Sequence, residues 1–179
     1  MISFDTFVKK QAEKAEKAQK KVDFNPQQEI ETFKSRVEVF YDSVCNEWLK
    51  DYVVNNRIQI KRQQIEIHEE LLGTYQIDAM DIIIGTYTIH LRPVGTILIG
   101  TSGRIDISYL SKRGMFVLVG KSVTGPRAIV IAREDGEKIP KRKSTGQAVW
   151  KFVDRSGNMK YINVDADTFQ QIILNLINE

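Results

Sequence analysis

The sequence predicts an α+β fold with an N-terminal helical hairpin, a mainly antiparallel β-sheet and a C-terminal helix packed on the sheet. Between residues 4 and 53, apolar residues recur at intervals of three and four, as at Ile30, Phe33 and Val37, which is the period of an amphipathic helix. From 57 to 164 they recur at every second position or in short β-branched runs, as in strands. Because the two periods occupy separate parts of the chain, the pattern argues against alternating βαβ units.

Two helices are expected before the sheet. The first covers about 4–22, and its inner stripe is made mostly of small residues and is rich in alanine, so it buries little area without a partner. Asn25 and Pro26 predict the start of the second helix, because asparagine caps a helix and proline suits the first helical position. This helix is expected to reach about Tyr52. We predict that four of its residues pack against the sheet and the C-terminal helix as one core: Phe33, Val37, Phe40 and Trp48.

Turn residues separate the predicted strands. Gly85-Thr86 predicts a tight reversal, Ser111 to Gly114 predicts a hairpin loop with a positive φ at Gly114, and Arg155 to Asn158 predicts another turn. Residues 134–147 are expected to form a long polar loop. The predicted strands, some of which should merge, cover 57–61, 64–68, 74–78, 82–84, 86–91, 96–99, 104–109, 115–120, 128–133, 149–153 and 161–164.

The chain should end in a helix capped by Asp165 or Asp167. Its apolar face would hold Phe169, Ile172, Ile173, Leu176 and Ile177. We therefore expect a helical hairpin over 1–53 and a sheet with its closing helix over 54–179, folding together as one cooperative domain.

Composition predicts a cytoplasmic protein without a membrane segment. The chain has 179 residues, a net charge of +3 and one cysteine, Cys45, which has no partner for an internal disulfide. The N-terminus runs into lysines rather than into the apolar segment of a signal peptide. The apolar runs, such as Ile82 to Ile84, are far too short to cross a bilayer.

No catalytic centre is predicted. His68 and His90 each lie on the polar side of a predicted strand, without metal-ligand spacing, and Cys45 is expected to pack beside aromatic residues. Asp106 and Lys121 superficially match a metal-dependent nuclease, but Val119 occupies the position where that motif needs a second carboxylate. We therefore predict a protein that is not an enzyme and that binds no metal or cofactor.

The basic residues form the other notable pattern. Between Arg104 and Lys143 there are ten Lys or Arg against four Asp or Glu, and such a stretch could follow a phosphate backbone. The candidate anion contacts are Arg104, Lys112, Arg113, Lys121, Arg127, Lys141, Arg142 and Lys143.

The sequence supports two hypotheses of function, which belong to different classes. The first is a non-catalytic protein-binding module, such as a bacterial toxin-immunity protein or an accessory subunit of a larger system. It rests on the absence of a catalytic motif and on the thin first helix, which either packs on the second helix or pairs with a protein partner or a second copy of the chain. The candidate partner surface on that helix is Phe4, Phe7, Val8 and Ala12. The alternative is a nucleic-acid-binding protein that uses the basic region 104–143.

Overall fold

The computed structural model describes Thr6, Lys9 and residues 25–96, 101–126 and 147–178. Helix α1 covers Pro26–Ser43, a π-helical turn follows at Val44–Trp48, and helix α2 covers Lys50–Val54. Helix α3 covers Ala166–Asn178. The strands are β1 Gln59–Glu69, β2 Gly73–Ile84, β3 Tyr87–Gly95, β4 Arg104–Tyr109, β5 Lys112–Gly120, β6 Ala148–Asp154 and β7 Lys160–Asn163. The predicted α+β class is confirmed.

Both predicted helix starts are present. The Gln28 amide donates to Asn25 Oδ1 (3.2 Å), with Pro26 in the first helical position. The Thr168 amide donates to Asp165 Oδ1 (2.8 Å), so the cap of α3 is Asp165. The predicted hairpin is supported only in part, because its first helix lies almost entirely outside the described residues, of which Thr6 and Lys9 are helical.

The seven strands form one antiparallel sheet in chain order, so each strand pairs with the next. The segments predicted at 57–61 and 64–68 belong to the single strand β1, and those at 74–78 and 82–84 belong to β2. The strand predicted at 128–133 lies outside the described residues, as do 97–99 of the strand predicted at 96–99 and 134–146 of the polar loop.

The turns agree with the prediction except between β4 and β5. Gly85 has a φ of 58° in the reversal between β2 and β3. The hairpin loop predicted over 111–114 is wrong, because Leu110 and Ser111 alone connect the strands and Leu110 has the positive φ, 51°. Gly114 lies inside β5, where an added Cβ would be 2.8 Å from the Phe152 ring.

Helices α1 and α3 share a core with one face of the sheet. Phe40 is at its centre, with ring centroids 5.0 Å from Phe116, 5.5 Å from Trp48 and 5.6 Å from Trp150. Trp48 lies 5.1 Å from the Phe169 ring of α3. The predicted shared core is therefore confirmed, with Trp48 partly rather than fully buried.

Tyr41 fills a gap between two strands. β2 pairs with β3 only between Met80 and Ile84, and the rest of β2 continues beside β1. The Tyr41 hydroxyl lies 3.1 Å from the carbonyl oxygen of Asp78 and 3.4 Å from that of Leu91, and it is placed to donate to either. Burial raises the pKa of Tyr41 above its ordinary value of 10.0.

Glu69 holds the end of β3 against the hairpin of β1 and β2. Its carboxylate accepts from the Thr96 amide (2.9 Å) and from the Tyr75 hydroxyl (2.6 Å). Gly95 has a φ of 152°, and an added Cβ there would be 2.9 Å from Glu69 Cδ. Only glycine therefore permits this close approach.

Candidate functional site

The predicted anion contacts do not form one continuous track in the described residues. Arg104 is paired with the Asp106 carboxylate, with Nη2 2.9 Å from Oδ2. Lys112 and Arg113 begin β5 and Lys121 follows its last residue, so the two ends of this group are about 30 Å apart at 3.3 Å per residue. Arg127, Lys141, Arg142 and Lys143 lie outside the described residues.

The candidate partner surface on the first helix cannot be compared with the structure either. Phe4, Phe7, Val8 and Ala12 all lie outside the described residues. They remain a prediction from the sequence.

The sheet face opposite the helices carries a row of polar side chains that sequence reasoning did not assemble. The strand register places His90 between Asp81 on β2 and Ser108 on β4. Lys61 on β1 is opposite Asp81, and Arg113 on β5 is opposite Ser108. Hydrophobic periodicity assigns each residue to a strand face, but only the register brings these five into one row.

Asp81 is the acidic residue of this row, and its carboxylate contacts His90 and Arg92. Its Oδ1 lies 2.8 Å from His90 Nδ1 and 2.9 Å from Arg92 Nη2. With a neutral ring, His90 must carry its proton on Nδ1 to donate to the carboxylate, which leaves a lone pair on Nε2.

An aspartate, a histidine and a serine in this order are also the parts of an acyl-transfer triad. However, the hydrogen bonds between described residues include none from Ser108 to His90. Arg92 also neutralises the carboxylate that would stabilise a protonated imidazole. The arrangement therefore accounts for cross-strand cohesion better than for catalysis.

The other candidate nucleophile is Cys45, which is half-buried against the core. Burial raises the pKa of its thiol, with Arg62 nearby opposing the shift. Arg62 also pairs with Glu38 and lies 5.2 Å from the centre of the Tyr41 ring. A thiol held in its protonated form is a poor nucleophile.

Exposed apolar side chains concentrate at one end of the sheet. In a meander alternate turns lie at the same end, so the turns after β2, β4 and β6 lie at the end of the sheet where β1 begins. We call the surface formed by 52–58, 85–87, 109–113 and 155–160 the hairpin end. It exposes five large apolar side chains, which are Tyr52, Val54, Tyr87, Leu110 and Met159.

Leu110 is the most exposed of these residues, at 81%. It occupies a left-handed conformation, which costs a residue with a side chain roughly 1–2 kcal/mol and which two-residue hairpin loops normally assign to glycine or asparagine. Beside it, the Tyr87 and Tyr109 rings pack with centroids 5.6 Å apart. A strained leucine that buries little of its side chain is better explained by a contact outside the chain than by folding.

The hairpin end is also basic. Its four segments contain five Lys or Arg, which are Arg57, Lys112, Arg113, Arg155 and Lys160, and no Asp or Glu. The nearest acidic residues in the sequence, Asp51 and Asp154, border it, and the Asp154 carboxylate accepts from the Ser156 amide (2.9 Å). The surface therefore combines apolar side chains with an excess of positive charge.

Comparisons with known proteins identify no relative: no family model, curated protein or solved structure matches this chain. Among the described residues no group of three or more His, Cys, Asp or Glu could hold a metal ion. The helices of the described part of the chain are all too short or too polar to span a membrane.

Proposed function

We propose that this chain is a non-catalytic protein-binding module of the cytoplasm, and that it binds its partner through the hairpin end. A toxin-immunity protein and an accessory subunit of a larger system are the two kinds of module that we consider. The observation that carries the proposal is Leu110, which is exposed in a strained conformation beside two packed tyrosines. Tyrosine and arginine are enriched among the residues that dominate the binding energy of protein interfaces, and the exposed Leu110 beside the two tyrosines adds apolar area that a partner would bury.

The charge of the hairpin end indicates the chemistry of the partner. Five basic residues lie in the same four segments as the apolar side chains, and complementary potentials favour association with an acidic surface. A partner with an apolar pocket for Leu110 and a rim of Asp and Glu would fit. Binding should then weaken as salt is added, since rim charges are screened.

The alternative, nucleic-acid binding by 104–143, has less support in the described residues. Arg104 is neutralised by Asp106, and the remaining described candidates are divided between opposite ends of β5. Tyr87 and Tyr109, which lie beside the basic residues Lys112 and Arg113, pack on each other, and this leaves less of their ring faces for base stacking.

The experiment is quantitative affinity capture with the full chain from nuclease-treated extract of the source cells, followed by titration of each captured protein after purification. Leu110→Asn should weaken partner binding at least tenfold, as expected for an interface anchor. Asparagine tolerates the left-handed conformation, so this variant keeps the turn. Leu71→Asn is the matched control, because Leu71 is an exposed leucine in the turn at the opposite end of the sheet.

Two results would overturn the proposal. One is binding that Leu110→Asn and Leu71→Asn affect equally. The other is salt-dependent binding of duplex or single-stranded DNA, or of vesicles of anionic lipid, that requires Lys112 and Arg113 and exceeds binding to any protein.

A further inference from the structure

The two edges of the sheet are unlike. β7, at one edge, has four residues, and the Tyr161 amide already donates to the carbonyl of Thr124 (2.9 Å). β1, at the other edge, has eleven residues in unbroken register with β2 and contains no proline. No strand of the described residues pairs with its outer side. Proteins protect such edges by a short strand, a proline, a bulge or charged side chains, and of these devices β1 has only the charged side chains.

The middle of β1 is exposed to solvent. Residues 61–64 are exposed in succession, and successive side chains of a strand point to opposite faces. On the face opposite the helices, a strand added beside β1 would therefore meet no cover from the described residues, and on the helix face its nearest neighbour is the Arg62–Glu38 ion pair.

The charges of β1 are arranged in two halves. Lys61 and Arg62 precede the central pair Gln63-Gln64, and Glu66 and Glu69 follow it. Antiparallel pairing of β1 with its own copy therefore brings each basic half against an acidic half, whereas parallel pairing would oppose like charges.

We infer that β1 is a self-association edge, where two copies of the chain pair antiparallel about a two-fold axis at Gln64. In this register Arg62 of each copy lies directly opposite Glu66 of the other, so the symmetry repeats the pair. The two sheets then continue across the axis as one. This inference concerns a different surface from the hairpin end and does not depend on the proposed partner.

Sedimentation of the full chain over a range of concentrations tests the inference. We expect a monomer–dimer equilibrium. Glu66→Lys should weaken the dimer at least about tenfold, because two attractive pairs become two repulsive ones. Glu31→Lys makes the same charge change on the exposed surface of α1 and should leave the equilibrium unchanged.

Disulfide trapping locates the axis. Opposed Cα atoms in an antiparallel pair are about 4.5–5.5 Å apart, which matches disulfide geometry. In a Cys45→Ser background, Gln64→Cys should give a covalent dimer under mild oxidation, and Asn163→Cys on β7 should not. A monomer at every concentration, linkage at Asn163 rather than Gln64, or a dimer insensitive to Glu66→Lys would overturn the inference. The inference would also be overturned if the chain stayed monomeric and the Gln64→Cys variant formed a disulfide only with a different protein.

Discussion

Phe40 and Leu110 lie in regions that use large apolar side chains in opposite ways. The core around Phe40 buries aromatic rings from α1, β5, β6 and α3 against one another. At the hairpin end, Leu110 and its neighbours stay exposed although burial would stabilise them. The core gains stability from its apolar residues, whereas the strain at Leu110 lowers stability.

The difference shows that residue type does not separate structural from binding residues. Tyr41 and Tyr109 are both tyrosines beside strands, yet Tyr41 is placed to donate its hydroxyl to either of two backbone carbonyls and Tyr109 packs in an exposed patch. What distinguishes them is whether another element of the chain covers the position. Substitutions at Phe40, Tyr41 and Leu110 test this contrast.

Phe40→Ala should lower the free energy of unfolding by about 3–5 kcal/mol, because it leaves a cavity where several aromatic rings meet. Chemical denaturation monitored by tryptophan fluorescence measures this loss. Val39→Ala, at an exposed neighbouring position, should change stability by less than about 0.5 kcal/mol. Equal effects of the two substitutions would contradict the assignment of Phe40 to the core.

Tyr41→Phe should cost about 1–3 kcal/mol near neutral pH, because it removes the donor from buried carbonyls. The hydroxyl also makes stability pH-dependent. Since its pKa is raised in the folded state, the unfolded chain loses this proton first, and the stabilising contribution present below pH 10.0 declines as pH rises above it. When unfolding is measured between neutral and alkaline pH, the free energy of unfolding should decline less steeply for Tyr41→Phe than for the unsubstituted protein. An identical decline would show that Tyr41 does not contribute to the alkaline sensitivity.

Leu110→Gly should raise the free energy of unfolding by about 0.5–1 kcal/mol, because relief of the left-handed strain exceeds the added flexibility of glycine. Thermal unfolding with and without the captured partner separates stability from binding. A variant that is more stable alone but gains less from the partner would confirm that Leu110 is kept for an external contact. Loss of stability in the isolated chain would instead make Leu110 part of the fold.

Much of the architecture follows from local patterns. The stripe of Phe33, Val37 and Phe40 specifies one helix face, Asn25 and Asp165 specify helix starts, and alternation after residue 57 specifies strands. These features depend on neighbours within one element, which is why the sequence alone predicts them. Local patterns also explain why the sequence predicts the turn at Gly114 rather than at Leu110, since glycine is the better turn residue. In the structure Gly114 instead makes room for the Phe152 ring.

Other features arise only when strands are placed side by side. Local sequence patterns were enough to specify the α+β class, the helix that carries the core stripe and the basic character of 104–143. The tertiary arrangement of the strands brought Asp81 to His90 and left β1 at an edge of the sheet that the described residues form. It also collected the apolar residues of the hairpin end from four separate segments. Pairing register and strand order set these proximities, and they depend on contacts between residues far apart in the chain, which local periodicity does not encode.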